Sequence, residues 1–363
     1  MKSPFHFLGI GGIGMSALAS ILIEKGEEVS GSDLRGASDL EKRGVKIHDS
    51  LPLEGTIVYS SAIQRDHPLF LEAEKSSLPL LHRSELIDVL LKDKKGLLVT
   101  GTHGKTSTSA LLAWTLVFSG KDPTYAVGGI LKNLEKNGGY SENELFVLEA
   151  DESDGSFLNY SGEGGIVTNI EKEHLDYWKT EERLIEGFNA FISKIKNPEL
   201  FFWCSDDPLL SKLSPKGYSY GREGELKLLS VNQEGNITSF SASFEGVRYE
   251  EVEVPLMGDM LALNALAVFG LALKLGIKES VIRKAFKTYK GVKRRQEKIG
   301  EFEGTSIYDD YAHHPTEIKV LLESLKKGIG NRRLIALFQP HRYTRTRDHF
   351  DAFKEAFQLA DLT

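Results

Sequence analysis

Val99-Thr100-Gly101-Thr102-His103-Gly104-Lys105-Thr106-Ser107-Thr108 follows the apolar run Gly96-Leu97-Leu98-Val99 and opens the helical pattern Ala110-Leu111-Leu112-Ala113-Trp114-Thr115-Leu116. Strand, glycine-rich turn, Lys-Thr and helix is the order of a phosphate-binding loop. There, backbone N–H groups meet anionic oxygens, a lysine reaches the β- and γ-phosphates, and a hydroxyl ligates Mg²⁺. Lys105 supports that reading, because a cation at a helix N-terminus opposes the helix dipole unless an anion neutralises it. A plain turn with a Ser/Thr cap leaves the lysine unexplained. The loop is compact: two residues separate Gly101 from Gly104, against about four in the common motif. His103 is left open between phosphate contact and shaping the turn.

Upstream, Phe5-His6-Phe7-Leu8 reads as a buried strand that meets Gly9-Ile10-Gly11-Gly12-Ile13-Gly14 and a helix from Met15 to Lys25. Further strands are expected at 28–33, ending on Asp33, and at 56–61. A glycine loop between strand and helix, with an acid beyond the next strand, fits a dinucleotide site with Asp33 on a ribose. It equally fits a diphosphate site for a nucleotide-linked substrate, or a bare tight turn. Lys92-Asp93-Lys94-Lys95 reads as a linker. Beyond the phosphate loop, strands are expected at 145–149 and 165–169, a small antiparallel excursion at 227–254 and a helix at 260–275. A third unit opens near Glu297, with a strand at 303–311, a buried strand at 334–338 and a helix at 348–359. Strands alternating with helices define an α/β fold with mainly parallel sheets. The sequence stops at Thr363, where another strand is expected, so the third unit is expected to be incomplete and the chain part of a longer protein.

The chain has 363 residues, 40% of them apolar and 27% charged, which is ordinary for a globular protein. A net charge of −7 argues against a dedicated nucleic-acid binder. No apolar run approaches the ~18 residues of a membrane span, and Met1-Lys2-Ser3-Pro4 does not open a signal peptide. The single Cys204 precludes an intramolecular disulfide and reads as a small core residue. A cytoplasmic location is expected, with neither nucleic acid nor membrane as partner.

Four polar clusters carry chemistry. Glu149-Ala150-Asp151-Glu152-Ser153-Asp154 crowds acids at a strand end, which repel unless a cation is present or some face solvent. Glu149, on the strand, is the candidate Mg²⁺ ligand, with the others expected at the loop surface. His174, in Glu171-Lys172-Glu173-His174, is open between metal ligand and surface histidine. Tyr308-Asp309-Asp310-Tyr311-Ala312-His313-His314-Pro315 and Gln339-Pro340-His341-Arg342-Tyr343-Thr344-Arg345-Thr346-Arg347 each follow an expected strand. Both are expected at the carboxyl edge of one sheet, where α/β ligands bind. The arginines suit forked recognition of carboxylate or phosphate, or simply solubilise a loop.

In order along the chain, the two glycine loops, Tyr59-Ser60-Ser61-Ala62-Ile63, His82-Arg83-Ser84-Glu85-Leu86, the 149–154 acids, 168–176, Arg294-Arg295 and the last two clusters resemble the Mur ligase family over the whole length. The resemblance implies three domains: a Rossmann-like domain at 1–94, a central phosphate-loop ATPase-type α/β domain at 95–296 and the first part of a Rossmann-like α/β domain at 297–363. It implies ATP-dependent amide formation between UDP-N-acetylmuramate and L-alanine through an acyl phosphate, with Mg²⁺. The first glycine loop then grips a UDP-sugar diphosphate. By the same resemblance Lys105, Glu149, His174 and His314 are catalytic. Thr106, Glu149 and His174 hold metal. Gly101, Thr102, His103, Gly104, Lys105, Thr106 and Ser107, with Asn264 and Arg295, bind nucleotide. Gly11, Gly12, Ile13, Gly14, Asp33, Ser60, Ser61, His82, Arg83, His313, Arg342 and Arg345 bind the other substrates.

One departure stands out. The family's usual Gly-x-His-Asn-x-x-Asn reads Gly258-Asp259-Met260-Leu261-Ala262-Leu263-Asn264 here, which implies a more apolar adenine slot or looser ATP binding. Rival readings are a ligase that recycles a tripeptide onto the same UDP-sugar and a non-catalytic nucleotide or UDP-sugar binder. Glu152-Ser153-Asp154 and the unbroken first glycine loop favour alanine addition over recycling. Intact Lys105, Thr106 and Glu149 argue against a mere binder. The resemblance also extends to the front half of a fusion with D-alanine–D-alanine ligase, a possible covalent or physical partner.

Overall fold

The computed structural model describes residues 3–34 and 36–363; Met1 and Lys2, at the start of the leader reading, lie outside them. Short runs, the central ones buried almost continuously, form the first sheet: β1 (Phe5–Leu8), β2 (Val29–Ser32), β3 (Lys46–Ile47), β4 (Thr56–Tyr59) and β5 (Leu80–His82). The order is β3-β2-β1-β4-β5 and every pairing is parallel. The strand order reverses at β1, so the loop after it opens into a crevice at the carboxyl ends. Helices α1 (Ile13–Glu24), α2 (Ser38–Glu41), α3 (Pro68–Lys75) and α4 (Arg83–Leu91) complete this unit.

The central sheet runs β15-β14-β13-β12-β11-β10-β6-β9-β7-β8. Its strands are β6 (Lys95–Thr100), β7 (Thr124–Leu131), β8 (Lys136–Gly139), β9 (Leu145–Glu149), β10 (Gly164–Val167), β11 (Phe201–Cys204), β12 (Tyr218–Gly221), β13 (Leu226–Glu234), β14 (Ile237–Phe244) and β15 (Val247–Val254). β6 lies between β10 and β9, both parallel to it. The loop after β6 is therefore flanked by the ends of both neighbours. The antiparallel stretch expected at 227–254 forms as β13–β15, and it continues the central sheet because β12 pairs parallel with β13 before the chain reverses. Helices α5 (Lys105–Phe118), α6 (Leu175–Trp178), α7 (Glu181–Ile192), α8 (Pro208–Leu213), α9 (Asp259–Lys274) and α10 (Glu279–Lys287) cover the sheet. Cys204 is buried, as its small apolar character requires.

One continuous apolar core joins the first two units, because α1 packs on the β7–β8 hairpin. The contact is close: a Cβ on Gly138 would sit 2.2 Å from the Ala17 carbonyl oxygen. Asn137 Nδ2 donates to the Ile13 carbonyl at 2.6 Å and to Ser16 Oγ at 3.0 Å, and Lys136 pairs with Glu24 at 2.7 Å. The Ile13 carbonyl, which also accepts from Ser16 Oγ, thus gains a second donor from the next domain.

The third unit holds β16 (Glu297–Phe302), β17 (Thr305–Asp309), α11 (Pro315–Ile329), α12 (Tyr343–Asp348) and α13 (Phe350–Ala356) around a smaller core that includes Ile318, Leu322 and Leu325. Two expectations fail here. Residues 334–338 are not a buried strand: Ile335 and Leu337 are exposed, and among the described residues the segment makes one isolated bridge, Ile335 to Leu362. A single bridge builds no ladder. Among the described residues β17 pairs only with β16, antiparallel, so the two polar clusters do not share one sheet edge. The helix expected at 348–359 does form, as α13, with the separate short helix α12 ahead of His349.

Candidate active site

The phosphate loop is shaped by two glycines with positive φ, Gly101 (135°) and Gly104 (83°), the second at the N-cap of α5. Asn169 clamps the loop between them: its Oδ1 accepts from the His103 N–H at 2.9 Å and its Nδ2 donates to the His103 carbonyl at 3.0 Å. Lys105, next along, is largely enclosed, its side chain 13% exposed. Its Nζ donates to the Gly101 carbonyl at 2.7 Å, the Thr102 carbonyl at 3.1 Å and Glu152 Oε2 at 2.8 Å. Burial would lower the lysine's pKa, but the charges of Glu152 and Asp151 outweigh it and hold the ammonium protonated.

Glu152 corrects the expectation of a solvent-facing loop acid. It is 1% exposed, and burial raises its carboxyl to about 7 despite Lys105. The chain itself supplies the anion that offsets the lysine at the helix N-terminus. Asp154 is not loop surface either. Its Oδ2 accepts from Ser61 Oγ at 2.6 Å and Arg83 Nη2 at 3.1 Å, and although burial opposes it, the Arg83 charge holds its pKa at about 2.

Glu149 does sit at the strand end by the loop. Its Oε1 accepts from Thr106 Oγ1 at 2.9 Å, and its Oε2 accepts from the Gly128 N–H at 2.6 Å and Ser109 Oγ at 3.2 Å. A Cβ on Gly128 would lie 2.5 Å from Glu149 Oε1, so the glycine leaves the carboxylate its space. His174 is a left-handed residue at the start of α6, 3.8 Å from both Glu152 and Glu173, and burial lowers its pKa.

Lys105, Thr106, Glu149 and His174 line one cavity of about 330 Å³, while Glu152 and Asp154 stand behind its wall. Its walls come from all three units: Gly14 and Arg83; Lys105, Thr106, Glu149 and His174; and Tyr311, His313, Arg342 and Arg345. Arg345 enters as an ion pair with Glu173 at 3.0 Å, both ends nearly buried. Arg347 pairs with Asp348 on the surface instead. Arg295 borders this cavity and a second one of about 300 Å³ behind the loop, where Leu256, Leu261, Val292 and Leu321 surround Asn264. Gly104 admits Asn264 closely, since a Cβ there would meet its amide nitrogen at 2.4 Å. Tyr289 also borders this second cavity, and its buried hydroxyl has no partner among the described residues.

The remaining expected residues hold the frame. Asp33 Oδ2 accepts from the Gly11 N–H at 2.9 Å, closing the first glycine loop, and Gly12 caps α1. The Ser60 carbonyl accepts from the Ile63 N–H. His82 caps α4 and touches Ser61 at 3.0 Å. His314 is 3% exposed and caps α11, accepting from the Thr316 N–H, and burial lowers its pKa to about 4. It is His313, not His314, that borders the main cavity. Sequence reasoning missed Glu152, Asn169 and Glu317. The Thr316-Glu317 pair after His314-Pro315 does carry the signature of a helix start.

A parallel sheet with a glycine loop, a phosphate-loop domain and a third unit closing one polar cavity define a multidomain nucleotide-dependent α/β enzyme. Three family models cover the chain: "Mur ligase family, catalytic domain" over 4–95, "Mur ligase middle domain" over 99–272 and "Mur ligase, glutamate ligase domain" over 294–363. The chain belongs to the Mur ligase family. It is 44% identical to UDP-N-acetylmuramate–L-alanine ligase of Protochlamydia amoebophila, over 99% of this chain and 82% of that protein. It is 41% identical to the bifunctional enzyme MurC/Ddl of Chlamydia caviae, over 99% of this chain and 46% of that protein. The crystal structure of the UDP-N-acetylmuramate–alanine ligase of Thermotoga maritima superposes with a TM-score of 0.88 at 30% identity, covering 99% of this chain and 84% of that one. No helix among the described residues is long and apolar enough to cross a membrane.

Proposed function

We propose that the chain joins L-alanine to UDP-N-acetylmuramate at the expense of ATP, a step of peptidoglycan precursor synthesis. The observation that carries this reading is the single cavity bordered by all three units, with Lys105 in its wall beside the glycine loop of the first. The divisions at 1–94, 95–296 and 297–363 follow the separation of the three sheets.

A carboxylate is a poor electrophile, so it must first gain a leaving group. A muramoyl carboxylate oxygen bonds to the γ-phosphorus as the bond to ADP breaks. The L-alanine nitrogen then bonds to the acyl carbon and loses a proton, and the tetrahedral intermediate expels phosphate. Lys105 and the α5 N-terminus hold the phosphates, exchanging the lysine's contact with Glu152 for one with phosphate. Thr106 Oγ1 and Glu149 Oε1 are hard oxygen donors at the loop, a set that suits Mg²⁺. When bound, that ion neutralises phosphate charge. His174 faces the acyl phosphate. His313, Arg342 and Arg345 face the amino acid and phosphate from the third unit, and Arg83 and Gly14 face the UDP-sugar. The base lies in the second cavity against Asn264 and Leu261. The chlamydial bifunctional relative supports fusion to, or association with, a D-alanine–D-alanine ligase as one arrangement open to this chain.

Phosphate release from ATP with UDP-N-acetylmuramate tests the reading. Release dependent on L-alanine supports it. Release dependent on the tripeptide alone favours the recycling activity, and binding of both nucleotides without turnover favours a non-catalytic binder.

A further inference from the structure

We propose that His103 is a positioning residue that seats the third unit on the phosphate loop. The loop backbone fixes where this side chain points, because Asn169 and Thr168 hold the His103 peptide groups from β10's end. The ring then bridges two carboxylates from different units. Nε2 lies 2.8 Å from Glu171 Oε2, and Nδ1 lies 3.3 Å from Glu317 Oε1 on α11. Only an imidazolium donates from both nitrogens at once. Burial disfavours that charge, yet the two carboxylates outweigh it and raise the pKa to about 9.

Each carboxylate also serves the third unit with its second oxygen. Glu171 Oε1 accepts from Thr316 Oγ1 at 2.7 Å. Glu317 Oε2 accepts from the His313 N–H at 3.0 Å and the His314 N–H at 3.3 Å. A path of a few side chains therefore links Lys105, two residues after His103, to His313, four before Glu317. Both ring nitrogens are spent on this bridge, so the side chain is not aimed at phosphate.

His103, Glu171 and His314 also stand close enough together to suggest a metal site. Geometry shows what such a site would cost: both His103 nitrogens already face carboxylate oxygens, so an ion there would have to displace the bridge, and only His314 Nε2, buried without a partner among the described residues, is free of it.

The consequence for turnover rests on the ligase reading, but the docking does not. The test uses the full chain as wild type, His103→Gln, Glu317→Gln and the double variant. Gln at 317 retains a helix-capping side chain while removing the charge. Amide hydrogen exchange over 313–318, without substrates, is expected to accelerate about ten- to hundredfold in His103→Gln, the worth of a charge-assisted hydrogen bond. The double variant should exchange no faster than the faster single one. Because His103 also borders the second cavity, affinity for a non-hydrolysable ATP analogue is expected to fall, but by much less than kcat. Unchanged exchange in His103→Gln, multiplicative effects in the double variant, or analogue affinity falling in step with kcat each overturn the proposal. Failure of the ligase reading would appear separately, as wild-type protein without amino-acid-dependent phosphate release.

Discussion

Gly138→Ala is the sharpest test of how the first unit is registered to the phosphate loop. The new Cβ would sit 2.2 Å from the Ala17 carbonyl oxygen, a backbone atom of α1 that cannot rotate away. A carbon–oxygen contact settles no closer than ~3.3 Å, so α1 and the β7–β8 hairpin must separate by about 1 Å. Asn137's hydrogen bonds to Ile13 and Ser16 are then stretched, and with them Gly14 and Arg83 move relative to Lys105. A misplacement of about 1 Å between reacting groups costs about 10²-fold in rate, or about 2.7 kcal/mol. The expected result is kcat lowered about 10²-fold. Kd values for UDP-N-acetylmuramate and for an ATP analogue, measured separately by titration, should stay within about twofold, since each site is built largely within one unit. A folded variant with kcat within about threefold of wild type would show that this contact does not set the register.

Lys105→Met should lower kcat by about 10²–10³-fold, as loss of one preorganised charge-stabilising group does. UDP-sugar affinity should be unchanged, and the protein should stay folded because Glu152, already raised to about 7, can take up a proton. Leu261→Asn restores a polar group beside Asn264 in the second cavity and should lower the ATP KM several-fold, about 1 kcal/mol for one added hydrogen bond; no improvement counts against placing the base there. Docking of the third unit should depend on pH through His103, which faces Glu171, Glu317 and His314. A histidine whose folded pKa rises from 6.5 to about 9 contributes fully below pH 6.5 and loses its contribution as pH climbs through 9, at most about 3 kcal/mol. His314, lowered to about 4, works in the opposite sense and erodes stability as pH falls below 6.5. Glu171, lowered to about 2, loses its share only in stronger acid. Unfolding followed from pH 6.5 to 9.5 should therefore show a decline that His103→Gln abolishes.

The legible parts of this protein are those whose causes lie within a few residues. Phe5–Leu8 with its glycine loop, Val99–Thr108 and the apolar stretch of α9 each carry strand, turn or helix signals in one window, and all three form where expected. The fate of the 149–154 acids was not local. Glu152 is buried because Lys105, 47 residues earlier, needs a counter-charge; Asp154 is fixed by Arg83, 71 residues earlier. A charge run gives no sign of which members have distant partners. The 334–338 segment failed for a related reason, since an apolar run becomes a strand only where a ladder is available on its flank. His103 could not be assigned from its loop, because Glu317 approaches from 214 residues away.

Contacts between units are spread over the molecule, as in the Lys136–Glu24 pair, but three of them begin within five residues of a residue of the chemistry. Asn137 holds the carbonyl of Ile13, beside Gly14. Asp154 closes the acidic strand end that begins at Glu149, and binds Arg83 and Ser61 of the first unit. His103 is two residues before Lys105 and binds Glu317 of the third. Condensing three substrates from three units makes the rate depend on distances between units rather than within any of them. Clamps placed far from the reacting groups would let small hinge motions grow along the intervening chain. Clamps one to five residues away leave little length over which such error accumulates. Variants at Asn137, Asp154 and His103 should therefore depress kcat more than any single substrate affinity, whereas Lys105 and Asn264 act on the chemistry and on the nucleotide directly.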